Sequence, residues 1–187
     1  RELLDLMKAE LPGESSDVTA ALSGHTGAMI ALVPTEEDAA PLAVDGGEDA
    51  DELHVTLGYL GEAALIPEEV KHALIECVSW CVTDRTTIVG NAFAVASFNP
   101  ETGMTASTGF ELDEVDDLVA GGGEPCVVLL LSGQQLPGFH DYVMRDVSQT
   151  FAQAGMELHP QHKPWVAHLT LAYTGDADLS YFTDRVG

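Results

Sequence analysis

The chain has 187 residues, 45% of them hydrophobic, and sets 31 acidic side chains against 7 lysines and arginines for a net charge of −24. That length suits one domain or two small packed lobes, and a mean hydropathy of +0.08 excludes a largely disordered chain. No apolar run approaches the ~18 residues needed to cross a bilayer, and so acidic a surface repels long nucleic acid, whose binding draws on Lys and Arg.

A small phosphorylated ligand held in one cleft is still compatible with that charge. Solubility or a salt-adapted source is the commoner origin of such acidity. Arg1 opens the chain with no signal-peptide pattern behind it, which suggests a trimmed chain or a piece of a longer protein. The location expected is cytoplasmic, or virion-associated for a phage-derived chain.

In chain order, Leu3, Leu4 and Met7 sit at helical spacing, and Pro12, Gly13 and Gly24 then mark a linker. AMIALVP (28–34) reads as a buried strand. The acidic stretch 35–52 reads as turns, with one helical turn around Ala39 to Val44. LHVTLGYL (53–60) reads as a strand. Residues 67–82 open on Pro67 and carry Val70, Leu74, Cys77, Val78 and Cys81 as an apolar helical stripe. Residues 86–98 read as a strand with a bulge at Gly90, and 99–125 as an insertion or flap. CVVLLLS (126–132) is a strand, 136–155 a helix closed by Gly155, and 163–174 the last strong strand. A weak helix or tail ends the chain. Cys77, Cys81 and Cys126 lack zinc-knuckle or redox spacing and read as reduced, mostly buried small hydrophobes.

Two of these strands carry one phrase. HVTLGYLG starts at His54 and HLTLAYTG at His168, with His, Thr, Leu, Tyr and Gly in the same places. Each sequence half also holds one long helix, which suggests an internal duplication of two α+β lobes. Side chains alternate along a strand. His54 and Thr56 therefore share one face, as do His168 and Thr170. Tyr59 and Tyr173 fall on the opposite, core-facing side. Two such polar faces meeting across a cleft suit phosphodiester cleavage. Threonine hydroxyls hold the phosphate, one neutral imidazole takes a proton, and the other, protonated, gives one.

These residues resemble the 2H phosphoesterase superfamily, the 2′-5′ RNA ligase-like and cyclic phosphodiesterase proteins. The match lies in His54-Val55-Thr56-Leu57 and His168-Leu169-Thr170-Leu171, with MIALVP and HKPWVAHLTLAY as flanks, over about residues 27–175. The resemblance implies an α+β fold: two duplicated lobes, two antiparallel-type sheets facing a central cleft, and helices on the outer faces. It leaves 1–26 as an N-terminal tail and 176–187 as a C-terminal tail. It implies a metal-independent phosphodiesterase, with no cofactor, acting on 2′,3′-cyclic phosphates, 2′-5′ linkages or cyclic oligonucleotides. His54 and His168 are then acid and base, and Thr56 and Thr170 bind phosphate. Ala167 stands where the family commonly has Pro, and the chain stops soon after its last clear strand where relatives usually continue into another: either that edge strand is missing, or the N-terminal segment or a partner covers the edge.

Phe98, closing its strand, is the aromatic best placed to stack on a base, ahead of Trp165 and Tyr142. His159, His162 and His168 echo a zinc spacing, but a Pro-flanked loop does not align them, and no metal is expected. The expected partner is a small nucleotide or short oligonucleotide, with no long duplex and no membrane. The N-terminal segment suggests a protein partner or fused neighbour. The rival reading is a structural or interaction domain, phage-associated or part of a polyprotein, that keeps the fold without turnover.

Overall fold

A computed structural model describes residues 26–83, 87–98, 125–174 and 178–186. The expectations for the N-terminal helix and linker, and for the flap after Phe98, lie almost wholly outside these residues. The fold is α+β with two small antiparallel sheets. The described chain gathers into two compact units. One takes in residues up to Val33, Thr56–Ile88 and Pro137–Gln161. The other takes in Pro34–Val55, Val89–Leu136 and the chain from His162 onward.

The first unit is built on β1 (Gly27–Leu32) and β2 (Val55–Glu62), which pair in a two-stranded sheet. Helix α2 (Glu68–Val82) starts behind Pro67, with Glu68 and Glu69 in its first turn where the helix dipole favours negative charge. It buries Val70, Leu74, Val78 and Cys81, one residue per turn. Helix α3 (Leu136–Gln153) buries Phe139, Val143, Val147 and Phe151 in the same way, each such side chain stabilising by about 1.5–3 kcal/mol. The duplication predicts one long helix in each lobe, whereas both belong to this unit. Local packing gives the reason. Gly58 leaves room for α3 on β2, since a Cβ there would lie 2.3 Å from Met144 Cε. The Cys81 thiol on α2 reaches the Asp146 carboxylate on α3 at 3.9 Å.

The second unit holds the sheet β3 (Asn91–Phe98), β4 (Cys126–Ser132) and β5 (His168–Tyr173), in that order. β4 is central, and Val127, Val128 and Leu129 are fully buried, as a continuous apolar run requires. β3 starts at Asn91, later than expected, because its partner β4 ends opposite it at Ser132. The bulge falls at Phe93, between the pairs Ala92–Leu131 and Ala94–Leu130, and not at Gly90. Helix α1 (Glu36–Ala39) sits earlier than the expected turn, because the Thr35 hydroxyl accepts the Asp38 N–H at 3.2 Å and caps it. A 3₁₀ helix (Leu179–Arg185) packs against β3 and buries Phe182. No helix among the described residues is long and apolar enough to cross a membrane.

Candidate active site

β5 carries the second phrase, and its register sets which side chains face together. His168 pairs with Leu130, Leu169 with Leu129 and Thr170 with Val128, but Ala172 pairs with the next residue, Val127. Leu171 is therefore an extra residue, a β-bulge that shifts the alternation by one. Leu169, Leu171 and Ala172 are buried, while His168 and Thr170 are half-buried and Tyr173 is 50% exposed. The bulge brings Tyr173 onto the His168 and Thr170 face, which corrects its expected place in the core. The Leu171 carbonyl is held from outside the sheet: it accepts the Glu48 N–H at 2.8 Å. Only glycine fits beside it, because a Cβ on Gly47 would lie 2.2 Å from that oxygen.

The first phrase repeats this burial residue for residue. Val55, Leu57 and Gly58 are buried, His54 and Thr56 are half-buried, and Tyr59 is 38% exposed. Tyr59 is thus likewise outside the core. Gln161 clamps its backbone, accepting the Tyr59 N–H at 3.1 Å and donating to the Tyr59 carbonyl at 2.8 Å. The His159 ring stands edge-on to Tyr59 with centroids 5.0 Å apart.

The two imidazoles are set alike. His54 Nδ1 lies 2.7 Å from the Glu52 carbonyl, and His168 Nδ1 lies 2.8 Å from the Val166 carbonyl. A carbonyl oxygen only accepts, so each Nδ1 carries the proton and donates it. The neutral ring then keeps its lone pair on Nε2, the nitrogen left for chemistry.

His54 and His168 belong to the same unit, and His54 acts on His168 through charge. The His168 imidazole is held below the ordinary histidine value. Burial is the main cause, and the charges of His54 and His162 add to it. The hydrogen bond to Val166 opposes the shift. The Phe98 ring packs on His168 with centroids 4.8 Å apart and planes tilted by 57°. The Cys126 thiol is pushed up mainly by burial, an effect that the Phe98 backbone and Thr170 oppose.

Of the five residues singled out by sequence, His54, Phe98, His168 and Thr170 thus lie in one unit. Thr56 falls in the other, where its hydroxyl donates to Met29 Sδ at 3.8 Å. Tyr142 carries the Arg145 guanidinium over its ring at 5.0 Å. The sequence reasoning missed Tyr173 and Cys126. The signal for Tyr173 was present as two adjacent apolar residues, Leu171-Ala172, which break a strict alternation. Among the described residues, no group of three or more His, Cys, Asp or Glu side chains could hold a metal ion.

No protein-family model matches the chain, and no curated protein matches it significantly.

Proposed function

We propose that the chain is a phosphodiesterase of the two-histidine kind that its repeated motifs resemble, acting on a small nucleotide phosphodiester. One observation carries this reading. Two histidines at the head of matching phrases each tie Nδ1 to the carbonyl two residues back and leave Nε2 for proton transfer. A pair of proton carriers suits a reaction that removes a proton from an attacking oxygen and supplies one to a leaving oxygen.

His168, biased to its neutral form, takes the proton from the attacking water or hydroxyl. The new P–O bond forms, the opposite P–O bond breaks, and His54 protonates the departing oxygen. The return of the proton from His168 to His54 through solvent resets the pair. Thr170 donates to a phosphate oxygen from the His168 face, and Thr56 is assigned the same role by its motif. Two imidazoles supply both proton transfers, so the scheme needs no cofactor. The net charge of −24 favours a substrate with few phosphates.

The test is turnover in EDTA of 2′,3′-cyclic nucleotides, 2′-5′ and 3′-5′ dinucleotides, and cyclic di- and trinucleotides. Cleavage of at least one class supports the reading and names the substrate. A folded sample inert to the whole panel contradicts it. That outcome would favour a binding module, for which the exposed Leu65 (70%), Trp80 (77%) and Phe93 (55%) supply apolar contact surface.

A further inference from the structure

Phe98 ends β3 and pairs with Cys126, which in turn pairs with Tyr173 on β5. Its ring is half-buried. It rests on the His168 imidazole at 4.8 Å. The 57° tilt is far from a parallel stack. We propose that Phe98 is a positioning residue for His168: its ring keeps water from the imidazole and holds His168 in the proton-accepting state. This rests on the reading of His168 as the base, and it replaces the base-stacking role that sequence alone suggested for Phe98.

Phe98 is the ring that packs on His168, whose cross-strand neighbour is the apolar Leu130. β3 offers no titratable side chain between Asn91 and Phe98. Cys126, on β4, is buried, and its thiol is pushed up mainly by that burial. Tyr173 shares the face from β5 itself. His54 and His162 act on His168 through charge, and Val166 through its carbonyl, which favours the protonated ring. A desolvating aromatic is what offsets that carbonyl. The competing effect is cation–π attraction, which would stabilise the imidazolium instead. The two effects have opposite signs, so an experiment separates them.

The experiment is an NMR titration of the histidine Cε1–H signals in the wild type and in Phe98→Ala, Phe98→Leu and Phe98→Tyr. Turnover is followed at pH 6 and pH 8. We expect the His168 midpoint to rise in Phe98→Ala toward the ordinary value of ~6.5. Phe98→Tyr should restore the wild-type midpoint. A ring titrating at ~6.5 is about one-quarter neutral at pH 6, so kcat/KM there should fall by up to about fourfold, with little change at pH 8. Phe98→Leu keeps an apolar side chain at the strand end and should give a smaller rise, which covers loosening of the sheet by alanine. A midpoint that stays put or falls overturns the proposal, and a KM change confined to particular bases with an unmoved midpoint returns Phe98 to base stacking. A midpoint that rises in a protein with no turnover on any substrate supports the Phe98 contact and removes only the reading of the reaction.

Discussion

His54 and His168 hold their rings by the same bond: each donates Nδ1–H to the carbonyl two residues earlier, at 2.7 and 2.8 Å. The bond fixes the tautomer and the ring direction together, because rotating the ring would leave the carbonyl without its donor. A single histidine so placed is unremarkable at the start of a strand; His168 opens β5 and His54 directly precedes β2. Two, at the head of phrases that also share their burial pattern, are the proton carriers of the proposed reaction.

Thr170 tests the phosphate-holding role. Thr170→Val keeps the shape and removes the donor. A hydrogen bond to a charged group contributes about 1.5–3 kcal/mol, so kcat/KM should fall by roughly 10- to 100-fold. Steady-state kinetics on the substrate found by the panel measure it. A loss under threefold would mean that Thr170 does not hold the phosphate.

The pH dependence of stability follows from His168. Its folded value is lowered, so burial penalises the protonated ring. Above the unfolded value of ~6.5 the ring is neutral in both states and the site carries no penalty. As pH falls below ~6.5 the unfolded state binds the proton first, and stability is lost until pH passes the folded value. Urea midpoints of wild type and His168→Asn should therefore shift in the variant's favour between pH 7.5 and pH 5. Comparing the two proteins cancels the titration of the acidic residues they share. A difference that does not move with pH would contradict the burial of this ring.

Gly47 supports the bulge from outside the sheet. Gly47→Ala forces a methyl against the Leu171 carbonyl, a backbone atom that cannot swing aside. We expect a loss of about 1–3 kcal/mol, with a fall in Tm of roughly 2–4 °C per kcal/mol. Calorimetry checks this. An unchanged Tm would show that the 47–48 segment does not pack on β5.

The Cys81 and Cys126 thiols should be inert in the folded protein. Burial pushes Cys81 up to about 11, with Cys77 and Asp146 adding to the effect. At pH 8 only about one Cys81 in a thousand is then a thiolate, the reactive form. Iodoacetamide should spare Cys81 and Cys126 until urea unfolds the chain. Mass spectrometry of the labelled peptides reads the result.

Elements held by local signals were legible in the sequence. The apolar run Cys126–Ser132 became β4 with its expected bounds, the one-per-turn stripe of 67–82 became α2, and the helix expected at 136–155 became α3. The repeated phrase pointed to His54 and His168 before any geometry was known. What escaped depends on distant partners. Tyr173 reaches the histidine face only through the Leu171 bulge, which Gly47 and Glu48 support from over a hundred residues upstream. The membership of α3 in the first unit rests on contacts such as Met144 against Gly58, which helical periodicity does not encode. The tie from Nδ1 to a carbonyl is a matter of backbone path that residue type alone does not reveal.

The most direct test of the central claim is turnover by His54→Asn and His168→Asn. Asparagine keeps an N–H near the Nδ1 position, so each carbonyl retains a donor while Nε2 is lost. Both variants should keep the wild-type circular dichroism and Tm within a few degrees. Each should lose about 10²–10⁴-fold in kcat, as removal of a general acid or base does, and the double variant should be little worse than either. Either single variant retaining turnover within tenfold of wild type, on a confirmed substrate, would contradict the two-histidine mechanism.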